Sequence, residues 1–259
     1  MAFVKADDGV RISYNARGEG LLTVLFMHGW AGSGSYFDQT LAHLDLKGLR
    51  VLTMDMRGHG DSDKPESGYA DERFARDAIA VADAAKGDKI VVVGFSMSGR
   101  FAQYLAVVAP ERIRGQVLVA GAPASPIPLP EETRRDWVSR AGDAERLKAV
   151  TAMFLTKSVE PAVLDRYGVD AAKAVPVALD ETLRILMYDS FADKLGATRV
   201  PTLVVGGIHD PIFPADALRG WVGSMPCARL ALLDSNHEIP IEQPRELAAV
   251  LESFIAGLG

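Results

Sequence analysis

Short apolar runs alternate along this chain with longer stretches in which apolar residues recur at helical spacing. Ile90-Val91-Val92-Val93 is the most concentrated run, four β-branched residues that suit a strand buried on both faces of a parallel sheet. Leu21 to Met27, Val51 to Met54, Val117 to Ala120, Thr202 to Val205 and Ala228 to Leu233 repeat the pattern. Between them, Tyr36 to Asp45, Arg73 to Ala85, Arg100 to Ala109, Ala215 to Trp221 and Pro244 to Ile255 read as helices packed on a sheet. This alternation predicts an α/β fold with a mostly parallel sheet covered on both faces. At the N-terminus, Phe3-Val4-Lys5 and Val10 to Asn15 flank Asp8-Gly9, a hairpin signal that adds an antiparallel edge and brings the expected sheet to eight strands.

After the sixth strand the rhythm breaks. From Pro123 to about Thr198 no strand pattern occurs, and the interval opens with Pro123, Pro126, Pro128 and Pro130. Glu131 to Arg140, Ala144 to Thr156, Pro161 to Tyr167 and Asp170 to Asp189 read as four helices, the last interrupted by Pro176. The expected organisation is a core of residues 1–122 and 199–259 with a helical cap, 123–198, inserted after the sixth strand. A cap is favoured over a plain decoration because ligands bind beyond the carboxyl ends of strands in open α/β sheets, where this insertion begins.

Composition narrows the classes of partner. The chain carries 34 acidic and 28 basic residues, a net charge of −6, with no basic block, which argues against nucleic acid and anionic membranes. No stretch approaches the roughly 20 apolar residues of a membrane span, and the first 20 residues lack a signal-peptide pattern, so a cytoplasmic protein is expected. The single cysteine, Cys227, excludes an intrachain disulfide and reads as a small apolar residue.

The candidate chemistry sits at strand ends. Gly94-Phe95-Ser96-Met97-Ser98-Gly99 follows the central strand and leads directly into a helix. A serine on such a tight turn is lifted above the sheet, and the next backbone N–H, that of Met97, can face developing negative charge. Small residues are needed beside the turn, and Gly94 and Ser98 supply them. A serine nucleophile needs a base and a group to orient that base. Asp210 lies just past the strand ending at Val205, and His237 in the loop after Leu233, so Ser96, Asp210 and His237 are placed to converge at one end of the sheet. His28 ends another strand and reads as structural; beside it, the backbone N–H of Trp30 is a second candidate donor to an oxyanion. Arg57 and His59 also read as structural, His209 as a bystander, and His43 as lying on a helix surface.

With these residues in place, the chain resembles the α/β-hydrolase superfamily over nearly its whole length. His28-Gly29-Trp30 is similar to its oxyanion-loop motif, Gly94 to Gly99 to its nucleophile elbow, and Asp210 and His237 to its acid and histidine. Asp55 to Ser62 and His237 to Pro244 are similar to further family signatures. The resemblance is greatest to small carboxylesterases and cofactor-free haloperoxidase or perhydrolase-type members, with carbon–carbon-bond hydrolases more distant. It implies hydrolysis of small-molecule carboxylic esters through an acyl-enzyme on Ser96, with no metal and no organic cofactor. Serine at the elbow argues against the dehalogenase and epoxide hydrolase branches, which use aspartate. Ser98 departs from the usual glycine and is shared with receptor-type members that bind a ligand and turn over slowly, so a sensor is the alternative outside catalysis. A cap closing over Trp30, Phe95, Met97 and Met153 would make an apolar pocket, with Phe95 and Met153 as substrate contacts, suited to small or medium apolar or aromatic esters.

Overall fold

The computed structural model describes residues 1–258 and contains one eight-stranded sheet in the order β1-β2-β4-β3-β5-β6-β7-β8. The strands are β1 (Ala2–Lys5), β2 (Arg11–Arg17), β3 (Leu22–Met27), β4 (Leu49–Met54), β5 (Ile90–Phe95), β6 (Ile113–Val119), β7 (Thr202–Gly207) and β8 (Ala228–Leu233). Only β2 runs against the others: it pairs antiparallel with β1 and with β4, and every later pairing is parallel. The Asp8-Gly9 hairpin forms as the sequence predicts, with Gly9 at φ +90°. All six residues of β5 are buried, because helices cover both sheet faces.

Those helices include α1 (Asp38–Leu41), α2 (Asp71–Ala84), α3 (Met97–Val108), α8 (Ala215–Gly223), α9 (Ile239–Glu242) and α10 (Pro244–Ala256). One apolar layer joins Phe74, Ala78 and Val81 of α2 to Phe101 and Leu105 of α3 beneath Leu25, Leu52 and Val92. The opposite layer joins Leu247, Leu251 and Phe254 of α10 to Val24, Val91 and Val117. Alternate residues along each strand thus face different helices, as the two-residue period of a strand requires.

Residues between β6 and β7 form α4 (Glu131–Val138), α5 (Ala144–Ala152), α6 (Pro161–Ala171) and α7 (Pro176–Tyr188), with no strand. Two expected boundaries differ. Pro176 does not interrupt a helix but starts α7, at the position where its missing N–H costs nothing, and Asp170 belongs to the end of α6. The helix expected over Tyr36 to Asp45 is reduced to a 3₁₀ turn, Gly34–Phe37, and the four residues of α1. Gly32 and Gly34 in the run before it favour turns over a regular helix. Cys227 lies exposed in the turn before β8, so it is not a core residue.

Candidate active site

The turn between β5 and α3 is built around a strained serine. Ser96 has φ +50° and ψ −119°, a conformation that a non-glycine residue adopts only when its surroundings impose it. The backbones of β5 and α3 converge here: a Cβ on Gly94 would lie 2.4 Å from the Ser98 carbonyl oxygen, so only glycine fits. Ser98 fits because it is small and because its buried hydroxyl donates to the carbonyls of Met27, at 2.6 Å, and Phe95, at 3.0 Å. The residue that departs from the resemblance thus ties the elbow to the end of β3.

The other two predicted side chains come to the same place. His237 Nε2 lies 2.8 Å from Ser96 Oγ, and His237 Nδ1 lies 2.8 Å from Asp210 Oδ2. The second Asp210 oxygen accepts the backbone N–H groups of Ile212 and Phe213, at 2.7 and 3.1 Å. Close approach sets the two loops: a Cβ on Gly207 would meet the Asn236 carbonyl oxygen at 2.2 Å, so the bare end of β7 lets the His237 loop pack against the Asp210 loop. Burial alone would raise the Asp210 carboxyl, but the His237 hydrogen bond and charge and the two N–H donors hold it below its ordinary value. Burial alone would lower His237; Asp210, with a smaller contribution from Glu238, raises it above its ordinary value.

Glu242, on α9, fixes the same loop to the helical insertion. One carboxylate oxygen accepts from Ser235 Oγ at 2.6 Å and the Asn236 N–H at 2.7 Å. The other accepts from Thr156 Oγ1 at 2.8 Å, the Lys157 N–H at 2.5 Å and the Thr156 N–H. The insertion also reaches the Trp30 loop, where the Trp30 indole N–H donates to the Leu179 carbonyl at 2.9 Å and Ser35 Oγ donates to Asp170 at 2.6 Å. Among the described residues, the backbone N–H groups of Trp30 and Met97 have no hydrogen-bond acceptor. The Met97 N–H is one of those that any helix N-terminus leaves unpaired.

A cavity opens beside Ser96, with about 80 Å³ of space for the centres of water molecules. Since one water needs roughly 10–15 Å³ by that measure, the cavity holds several waters or one small organic group. Phe95 is on its wall. Met153 is not: it caps the end of α5 and is 55% exposed, and its neighbour Phe154 turns inward instead. The Met97 side chain is also absent from the wall, because it points into the core beneath the sheet. Trp137 and Phe154 form the roof, with ring centroids 5.6 Å from Trp30 for the first and 5.9 Å from His237 for the second. The sequence reading missed Tyr36, Tyr167, Asp170 and Glu238 as wall residues. Only Glu238 carried a signal, its place beside His237.

The remaining histidines are structural or peripheral. His28 accepts the Met56 N–H at Nε2 and lies 2.8 Å from the Gly29 carbonyl at Nδ1, and burial lowers it to about 4. Burial lowers His59 to about 3. Arg57 grips buried Asp77 through two 2.7 Å contacts. His209 faces Asp234 at 2.9 Å, away from Asp210, and His43 is exposed in the turn after α1. Asp55 accepts the N–H groups of Gly34 and Asp61, so the Asp55 to Ser62 loop braces the segment after Trp30. Among the described residues no group of histidine, cysteine, aspartate and glutamate could hold a metal ion, and no helix is long and apolar enough to cross a membrane.

The fold agrees with known proteins. Residues 23–182 match the family described as the alpha/beta hydrolase fold, and the chain belongs to that family. It is 30% identical to a non-heme chloroperoxidase of Streptomyces lividans over 84% of this chain and 85% of the other. It is 28% identical to a 2-hydroxy-6-oxononadienedioate/2-hydroxy-6-oxononatrienedioate hydrolase of Dechloromonas aromatica, over 90% and 86% of the two chains. An esterase from Exiguobacterium antarcticum superposes with a TM-score of 0.87 over 98% of this chain and 99% of that one; at 22% identity, this likeness concerns the fold.

Proposed function

We propose that the protein hydrolyses carboxylic esters of small or medium, mainly apolar or aromatic substrates through an acyl-enzyme on Ser96. The observation that carries this reading is the continuous hydrogen-bonded line from Ser96 Oγ through His237 to Asp210, beside a partly enclosed cavity with a mainly apolar wall. Ser96 Oγ attacks the ester carbonyl while His237 takes the hydroxyl proton, and Asp210 stabilises the resulting imidazolium. The N–H groups of Trp30 and Met97 receive the oxyanion, a contribution of roughly 3–4 kcal/mol per donor. Collapse of the tetrahedral adduct breaks the bond to the alkoxide, which takes the proton from His237. Water, deprotonated by His237, then releases the acid and frees Ser96.

Two relatives point to other outcomes of the same site. The name of the Dechloromonas relative denotes a dicarboxylate substrate, yet the wall of this cavity carries Asp170 and Glu238 and no lysine or arginine. An uncompensated dianion is costly to bury there, which supports an uncharged ester. The Streptomyces chloroperoxidase supports a second reading, in which hydrogen peroxide intercepts the acyl-enzyme and yields a peracid. Hydrolysis of p-nitrophenyl acetate and butyrate, abolished by Ser96→Ala in a protein of unchanged circular dichroism, is the expected result. Turnover that survives Ser96→Ala, or is absent in the wild type, removes the proposal. Bromination of monochlorodimedone in acetate and peroxide separates the peracid reading.

A further inference from the structure

The buried carboxylates of this protein are well supplied with donors, with one exception. Glu242 accepts five hydrogen bonds, Asp210 is bonded to His237 and two backbone N–H groups, and Asp77 is held by both arms of the Arg57 guanidinium. Glu238, also buried, has a single side-chain hydrogen bond among the described residues, donated by Tyr36 Oη to Oε2. It lines the cavity that holds Ser96. Burial pushes its carboxyl up to about 7 against the pull of His237 and Tyr36.

Water can complete the hydrogen bonds of a carboxyl that lines such a cavity, and a ligand that displaces this water must supply a donor in its place. The pair is also rigidly placed. Tyr36 stacks on Phe95 at 5.1 Å between centroids, meets Tyr167 at 4.6 Å, and receives the Tyr167 hydroxyl on its carbonyl at 3.3 Å. Glu238 is fixed from the other side by its peptide link to His237 and by its carbonyl, which accepts the N–H groups of Ile241 and Glu242. Tyr36 occupies Oε2, so Oε1 is the oxygen left for a ligand. With no lysine or arginine on the wall, that ligand group is a donor and not an anion.

We propose that Glu238, held by Tyr36, is a specificity residue that accepts a hydrogen bond from a hydroxyl or N–H group of the substrate, so that the preferred ester carries a donor beside its apolar body. This rests on the ester-hydrolase reading of Ser96. A site built around a hydrogen bond discriminates strongly against the analogue that lacks it, because the carboxyl is then left unpaired.

Two matched pairs test this, p-nitrophenyl 3-hydroxybutyrate against butyrate and 2-hydroxyethyl against propyl butyrate. In at least one pair the hydroxylated ester should have a kcat/KM higher by about tenfold or more, chiefly through KM. That ratio should fall toward one in Glu238→Leu and be reduced in Tyr36→Phe, while Glu238→Gln, which keeps an acceptor, should retain part of it. Ratios near one in the wild type, or unchanged in Glu238→Leu, overturn the proposal while leaving Ser96-dependent hydrolysis standing. Calorimetric binding of the same pairs to Ser96→Ala protein decides the point even if ester turnover itself fails. Equal affinity for both members of each pair overturns it.

Discussion

The floor and the roof of the cavity are built in opposite ways. The floor belongs to loops leaving β3, β5, β7 and β8; β3, β5 and β7 end buried, and backbones meet closely at Gly94 and Gly207. The roof comes from α4, α5 and α6, with exposed apolar residues such as Met153 and Val169 close by, and it is tied down by a few polar clamps at Glu242, Asp170 and Trp30. Backbone packing at the floor leaves little freedom to place the reacting atoms elsewhere, whereas side chains of the roof can change without disturbing the sheet. On the proposed function, the floor sets the rate of chemistry and the roof sets what is admitted.

The sharpest way to break this division is at the floor. Asp210→Asn should lower kcat by roughly 10³–10⁴-fold with the fold retained, since the amide supports the wrong imidazole tautomer. The same variant tests the pH dependence. His237 must be neutral to act as a base, and Asp210 raises its pKa, so wild-type activity should climb with pH through a window above the ordinary value of about 6.5. In Asp210→Asn that limb should move to lower pH, and a limb that stays in place shows that another group is the base.

At the roof the effect should be smaller and of a different kind. Trp137→Ala opens the cavity beside Trp30, so kcat/KM for p-nitrophenyl butyrate should fall by roughly 10- to 100-fold, carried by KM. A loss carried equally by kcat would mean that the roof positions the reacting groups, contrary to the division drawn above. The smallest effect is expected at Ser98→Ala, which leaves the Met27 and Phe95 carbonyls without their side-chain donor. It should cost about 1 kcal/mol, or about 2–4 °C in Tm, with kcat unchanged. A large kcat loss would show that this serine does more than hold the elbow.

The same contrast explains how much was legible in the sequence. Strands such as Ile90 to Val93 and the hairpin at Asp8-Gly9 were readable because a buried strand and a tight turn each restrict residue type locally. Ser96, Asp210 and His237 were readable because the end of a strand places its loop at a known edge of the sheet. The roof was not. Met153 and Phe154 are adjacent, and which of them faced inward depended on where α5 ended, a boundary that no strong cap marked on its carboxyl side. Tyr36 was hidden for a related reason: a helix over 36–45 would have carried it along the surface, and the 3₁₀ turn rotates it under Phe95 and Tyr167. The sparse hydrogen bonding of Glu238 was not legible either, because it depends on the approach of Tyr36 from a distant part of the chain.

The bond from the Trp30 indole to Leu179 ends on a main-chain carbonyl, and this asymmetry bears on how such a protein diversifies. A carbonyl is supplied by any residue, so the tether itself places no demand on the side chain at 179, which is held apolar only by its burial among Ala31, Leu147 and Ala171. The insertion can therefore drift in sequence, and with it the preference for one ester over another, while the shape of its helices is conserved. Exchange of residues 123–198 between distant relatives is a harsher change. A donor segment that began α7 one turn away would leave the indole without its acceptor, loosening the loop that carries one of the two proposed oxyanion donors. Point-by-point variation is the gentler route to a new substrate here, and transplantation of the whole insertion the hazardous one.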